Sequence, residues 1–459
     1  MSRLGAALAL AATCGLIAAG SASAATTHYT GTLPDGAVWI ADVPSSWNGT
    51  LLLYSHGFGP LTAADSPDPN TQAALLADGY ALAGSSYDPD GSWWALGSAV
   101  RDQFQTLETV KANVLASAPQ KVYAFGTSMG GLVSALEDQN ANGRINGALT
   151  TCGIVAGANQ LNQYQLDAEY AISQLLAPSE DIKLTNFTVG PFAFTDSANS
   201  AAELQAAGVA AQGTPQGRAR LALAMAFLNV SPWGGATIPN IYDFVGQELG
   251  QYDDYFPGQV LNFIETAREQ LEAAAGGEGS GTVGVNFAKL LHRSSYYPEV
   301  RALYDDADLS LKGDLATLTR GANLKPDHAA YRWLTRTSVP TGHLQVPELD
   351  LKTISDQLVP VQQENYYAHL VAAAGDSGLL RQAFVHAQGH CNFTPAELVA
   401  GVQALVTRVR TGSWGSVAQS AKLNAVADSL PSSLGGGAFV PFWPERLTGA
   451  TPPSRPSHR

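Results

Sequence analysis

Basic residues are scarce in this chain of 459: 25 Lys and Arg stand against 39 Asp and Glu, a formal net charge of −14 at pH 7. They are scattered, not clustered, which argues against a nucleic-acid binder or a protein held on an anionic membrane surface. Beyond the amino-terminal segment there is no run of 18 uninterrupted apolar residues, so no membrane-spanning helix is expected. No P-loop, zinc motif or internal repeat is present, and nothing calls for a cofactor or metal. Cysteine is limited to three residues, Cys14, Cys152 and Cys391.

The amino terminus carries Arg3, then an uncharged run rich in alanine and leucine, then Gly20-Ser21-Ala22-Ser23-Ala24-Ala25. A positive start, an apolar middle and a small-residue site read as a secretory signal over residues 1–24, cut after Ala24 or Ala25. Thr13 before Cys14 departs from a lipoprotein signal. The expectation is a soluble, secreted protein whose acidic excess favours solubility. Its two remaining cysteines then face an oxidising compartment, where an even count invites a bridge.

Gly126-Thr127-Ser128-Met129-Gly130 occurs once, between the apolar run 121–125 and a stretch able to start a helix. Glycines two before and two after a serine permit a sharp strand-to-helix bend that lifts the hydroxyl clear of a sheet. In a glycine-rich chain the pattern alone is weak, and a turn with an ordinary serine is the plain alternative. Partners shift the balance. Residues 50–55 form a strand-length run ending in His56-Gly57-Phe58-Gly59-Pro60; residues 346–354 end in Ser355-Asp356-Gln357; residues 380–385 end in His386-Ala387-Gln388-Gly389-His390-Cys391. Ser128, Asp356 and His390 therefore each follow a predicted strand, and in an open parallel sheet such ends share one edge.

With these residues the chain resembles the α/β-hydrolase superfamily, whose triad runs Ser, Asp or Glu, His. The resemblance implies a serine hydrolase acting on small-molecule or polymeric carboxylic esters. Ser128 would be the nucleophile, His390 the base and Asp356 its orienting acid. The backbone N–H groups of Phe58 and Met129 would form the oxyanion hole. Asp350 lies inside its strand and Asp376 at the wrong edge, so both are set aside. His386, four residues before His390, suggests a helical metal pair, but Gly389 interrupts the helix and no Glu follows the first His. His386 is then a rim or core residue, His56 shapes its loop, and His343 and His369 are scaffold.

Cys152 ends the strand run 147–151 and Cys391 follows His390, so both belong at the active edge and a Cys152 to Cys391 disulfide is expected. This arrangement is similar to tannases and feruloyl esterases, where a cysteine beside the nucleophile pairs with one beside the base. Here Thr127 precedes Ser128, so only half of that motif is present.

The remaining organisation is α/β: a mostly parallel central sheet flanked by helices, with a mainly helical cap insertion. Central strands are expected at 51–54, 80–84, 121–125, 147–152, 346–354 and 380–385, with helices at 73–78, 101–116 and 130–140. Residues 26–43 supply antiparallel edge strands. The core occupies 25–155 and 340–415. The gap from Ser128 to Asp356 is about twice what the next strand-helix steps require, which places an insertion at 156–339. Helices are expected there at 167–176, 218–228, 260–275 and 328–335. Its aromatics Phe192, Phe194, Phe227, Trp233 and Tyr255 line a cleft or fill the cap's own core. Residues 279–284 match a dinucleotide fingerprint, but a helix precedes them where a strand is required, so they read as a flexible linker. After His390, Thr394-Pro395-Ala396-Glu397 opens a helix to about Arg410. Residues 416–459 form an extension with an aromatic patch at 439–443 and a disordered end from Thr448.

Two other functions share the pattern: a serine peptidase of the prolyl or tripeptidyl aminopeptidase type, and a non-catalytic binding protein that keeps the fold. The oligomeric state is not readable from the sequence.

Overall fold

The computed structural model describes residues 25–187 and 194–449. The expected signal segment, Phe192 and the last ten residues lie outside them.

Nine strands form one sheet in the order β1-β2-β4-β3-β5-β6-β7-β8-β9. In chain order they are β1 Thr26–Thr32, β2 Val38–Pro44, β3 Thr50–Ser55, β4 Ala81–Ser85, β5 Lys121–Thr127, β6 Gly147–Thr151, β7 Glu348–Ser355, β8 Leu380–Gln388 and β9 Phe439–Val440. The six from β4 to β8 run parallel, while β1, β2 and β9 join antiparallel at the edges. Strands β4 and β6 are buried at every residue and β3 at all but its first. They are apolar runs without alternation because helices cover both sheet faces. On one face Leu52, Tyr54, Phe125 and Leu149 pack with Val399 and Leu405 of the helix Pro395–Thr411. On the other, Leu51, Leu53 and Val122 pack with Phe104 and Leu107 of the helix Ala99–Asn113.

Between β6 and β7, among the described residues, lie nine helices and no strand. Four correspond to the expected ones, extended to Ala158–Leu176, Pro215–Leu228, Val260–Ala275 and His328–Thr337. This insertion packs onto the helix that follows Ser128: Met129, Leu132 and Val133 of the helix Met129–Gln139 share one apolar core with Leu223, Phe227 and Ile264. Phe227 and Tyr255 are in that core, not in a cleft.

Two expectations change. Residues 278–282 are buried, not a flexible linker: Thr282 N donates to Leu324 O at 3.0 Å, and Gln163 Nε2 donates to Gly281 O at 3.0 Å. Thr448 is ordered and buried, its N–H donating to Asn229 Oδ1 at 2.7 Å, because Leu447 beside it enters the insertion's apolar core. The extension also supplies β9, whose Phe439 is buried, and Phe442 stacks at a tilt on Phe384.

Candidate active site

Ser128 sits between β5 and the helix Met129–Gln139 with φ 59° and ψ −121°. A non-glycine residue in this region is strained, and the neighbours show what holds it. Its N–H donates to Thr151 O at 2.9 Å, and its carbonyl accepts from Gly131 N at 2.9 Å. A side chain at Gly126 would collide with the Gly130 carbonyl, and one at Gly130 with the Ser55 carbonyl. Glycine is thus required at both places by close backbone approach.

Asp356 leaves β7 in a turn in which its own Oδ1 accepts from Leu358 N at 3.0 Å and Val359 N at 2.9 Å. His390 follows β8, whose register with β7 slips between Thr353 and Ser355. Such a bulge re-aims the chain beside it. Gly389 there has φ 95°, donates its N–H to Ser355 O at 2.6 Å and accepts from Thr353 Oγ1 at 2.9 Å.

The three side chains meet. His390 Nδ1 is 2.8 Å from Asp356 Oδ2, and His390 Nε2 is 2.7 Å from Ser128 Oγ. With Nδ1–H donating to the carboxylate, Nε2 is left to accept the serine hydroxyl. Burial alone would push the Asp356 carboxyl up. The charges of His390 and Lys352 and the hydrogen bonds from His390 and Val359 overcome this and hold it well below the usual carboxylate range.

Among the described residues, neither the Phe58 nor the Met129 N–H donates to a protein acceptor. Met129 opens its helix, where the first N–H groups are unpaired by construction. Phe58 belongs to a loop locked from below. His56 Nδ1 lies 2.8 Å from Gly57 O, its ring stacks on Tyr87 at 4.2 Å, and Tyr87 donates to His56 O at 2.9 Å. Burial, opposed by hydrogen bonds to Gly57 and Ser86, lowers the pKa of His56 and keeps it neutral.

The other candidates are elsewhere. Asp350 accepts from Thr150 Oγ1 inside the sheet, and Asp376 accepts from Leu344 N away from the triad. His386 is exposed, 4.5 Å from the Trp233 ring. His343 pairs with Asp376 at 3.6 Å, and His369 Nδ1 lies 2.7 Å from Asn365 O.

Cys152 and Cys391 form a disulfide with Cα atoms 5.2 Å apart. Both have positive φ, 46° and 57°, so strained residues crowd this edge with Ser128. Thr127, where tannases carry a cysteine, pairs in register with Thr151, the neighbour of Cys152. The bridge to the base loop thus starts from the adjacent strand.

A cavity of about 30 Å³ touches Ser128 and His390, walled by Phe58, Trp94, Leu161, Gln165, Phe263 and Ile264 among others. Leu161, Gln165, Phe263 and Ile264 come from the insertion, which therefore covers the serine. Phe58 also meets Trp93 at 5.9 Å and Phe263 at 5.5 Å, and Trp93 meets Phe194 at 5.2 Å. A larger cleft of about 790 Å³, lined by Pro34, Arg101, Phe104 and Arg144, touches no triad residue.

Sequence reading passed over Lys352. It is fully buried in β7 with Nζ 3.1 Å from Asp356 Oδ2. The available signal was a lysine flanked by Leu351 and Ile354 in a strand buried along its whole length.

No protein-family model matches the chain. It is 26% identical over 433 residues to the o-phthalyl amidase of Xanthobacter agilis, covering 88% of this chain and 91% of that protein. Among solved structures, feruloyl esterase B from Aspergillus oryzae aligns at 14% identity and a TM-score of 0.41, over 84% of this chain and 81% of that one. The acylaminoacyl peptidase of Pyrococcus horikoshii aligns at 11% identity and a TM-score of 0.37 over 80% of this chain, which spans 38% of that protein's length. By the order and direction of its strands and by the elbow at Ser128, the chain has the α/β-hydrolase fold that its sequence resembles.

Proposed function

We propose that this protein is a serine hydrolase that cleaves carboxylic esters through an acyl-enzyme on Ser128. The observation that carries the reading is the continuous relay from Asp356 through His390 to the Ser128 hydroxyl, at 2.8 and 2.7 Å. In this reading Ser128 Oγ attacks the acyl carbonyl while its proton passes to His390 Nε2. Asp356 holds the imidazole in that tautomer and stabilises its cation. The carbonyl oxygen becomes an oxyanion and takes the free N–H groups of Phe58 and Met129. Collapse expels the alcohol, which leaves with the proton from His390. Water then adds to the acyl-enzyme by the same steps, returning the serine proton and releasing the acid.

The insertion acts as a cap. The space left beside Ser128 is only about 30 Å³, far below the several hundred Å³ of a typical small-molecule pocket. An acyl group therefore enters by moving the aromatic wall, and the cap sets which group fits. A second reading, amide hydrolysis by the same triad, is favoured by the relative named as an o-phthalyl amidase.

A fluorophosphonate probe, with the adduct mapped by mass spectrometry, tests the first claim. Labelling at Ser128 that disappears in Ser128→Ala is expected; a folded, unlabelled protein would return the chain to the class of binding proteins. Turnover of p-nitrophenyl esters compared with matched nitroanilides and aminoacyl-nitroanilides then separates esterase, amidase and aminopeptidase.

We also infer export. The charged start, apolar run and alanine-rich site of residues 1–25 support it, as does a disulfide, which persists in oxidising compartments. Amino-terminal sequencing of protein from the culture medium should begin at Ala25 or Thr26; an intact Met1 would remove the inference.

A further inference from the structure

We infer that Lys352 is a positioning residue of the triad: a buried cation that fixes the Asp356 carboxylate and sets the pH at which His390 becomes able to accept the serine proton. This rests on the hydrolase reading above.

Lysine is almost never fully buried without a partner, because desolvating an ammonium is costly. Lys352 is fully buried, and among the described residues the carboxylate within ion-pair distance of it is that of Asp356. The pair divides the Asp356 oxygens. Oδ1 takes the two backbone N–H groups of Leu358 and Val359, whereas Oδ2 is shared by His390 Nδ1 at 2.8 Å and Lys352 Nζ at 3.1 Å. The ammonium thus touches the very oxygen that orients the imidazole. It reaches there from β7 itself, four residues before Asp356. A strand climbs about 3.3 Å per residue, so only a stem as long as lysine's or arginine's bridges that interval.

Other groups near the pair sit on four elements. Asp350 is on β7 and satisfied by Thr150 and Gln382. Glu364, on the helix Gln362–Ala374, is pushed well up by burial and then by Asp350, which keeps it neutral. Tyr164 is on Ala158–Leu176, and burial raises its phenol further from ionising. Asp254, on Phe244–Tyr255, is pushed up to about 7 by burial and then by the charge of Asp356. Of these, Asp254 is the group pushed into the neutral range, so the test must control for it.

A cation sharing Oδ2 opposes a second positive charge on the imidazole, so its removal favours the imidazolium and delays the base to higher pH. The readout is the second-order rate of fluorophosphonate inactivation against pH, which needs no natural substrate. In Lys352→Met, which keeps the stem and loses the charge, the acid limb should move up by about one pH unit. The rate should then be about tenfold lower on the acid limb and within about threefold of wild type on the alkaline plateau. Lys352→Arg should keep the wild-type limb, and Asp254→Asn should leave the shift in place.

A purely structural lysine would lower the melting temperature and the plateau without moving the limb, and that result overturns the inference. If Lys352→Met does not fold, Lys352→Gln, which places a neutral polar group in the same buried space, is expected to fold and must show the same shift. An unmoved limb in it likewise overturns the inference. Wild-type protein that takes no label at Ser128 would instead defeat the hydrolase reading itself, so the two failures are distinct.

Discussion

Cys391, the residue after His390, is covalently joined to Cys152, the residue after β6. The loop that carries His390 is therefore tied to the strand beside β5, which leads into Ser128. Closing a loop of this length is worth about 2–5 kcal/mol against the unfolded chain. Cys152→Ala/Cys391→Ala should melt about 5–10 °C lower by calorimetry under non-reducing conditions. It should also react about tenfold more slowly with fluorophosphonate, because a small displacement of His390 is expensive. Unchanged reactivity would mean that the turn around Gly389 holds the base alone.

The role of Asp356 is separable from its charge. Asp356→Asn keeps the size of the side chain but presents an amide to His390 Nδ1, favouring the tautomer that cannot accept from Ser128. By analogy with the serine protease worked out in detail, ester turnover should fall by about 10³–10⁴-fold with little change in KM. Steady-state kinetics on a p-nitrophenyl ester decides this, and a loss below about tenfold would displace Asp356 from the triad.

Phe263 walls the small cavity beside Ser128 and meets Phe58. Phe263→Ala should open the acyl pocket and raise the kcat/KM ratio for a benzoyl or hexanoyl ester over an acetyl ester by about tenfold. Parallel shifts for all three substrates would show that the pocket lies elsewhere.

The cap buries an unusual concentration of carboxyls. Arg268, fully buried, contacts Glu169, and Glu265, Glu272 and Glu278 lie around it. Glu169 is pushed up to about 7 by burial, which outweighs the attraction of Arg268. Glu272 is pushed up to about 8 by burial and then by Glu278. Raised carboxyls bind protons in the folded state that the unfolded chain has already released, so stability is highest below the unfolded value near 4.3 and falls as pH rises to about 8. The melting temperature should drop by about 5 °C or more between pH 6 and pH 9, and Glu272→Gln should flatten the slope. A rising melting temperature over that window would contradict the assignment.

The sheet was legible because its strands are short apolar runs closed by turn residues, and the motif residues follow three of them. The cap was half legible. Val260–Ala275 has one apolar stripe and its limits could be read directly. Thr195–Ala211 is built largely from alanine, glycine and serine and Phe244–Tyr255 exposes Val245 and Leu249, so neither displays a clean apolar face. Leu311–Gly321 and Ser420–Ala427 were missed as well, among polar residues or in a segment rich in serine and glycine. Lys352 escaped for a different reason: a charge inside a strand has meaning only through its partner, and spacing does not show that partner to be the acid of the site.

The bridge joins Cys152 and Cys391 across a sequence separation of 239, and the whole helical insertion lies between them. Ser128 precedes the enclosed stretch, Asp356 is within it beyond the insertion, and His390 is at its end. A protease that nicks any loop of the insertion therefore puts Ser128 on one polypeptide and Asp356 and His390 on the other, yet releases neither. The product is a two-chain molecule held by one covalent staple, running as a single band until a thiol is added. A chain organised this way keeps Ser128, Asp356 and His390 covalently linked when a loop of the insertion is cut.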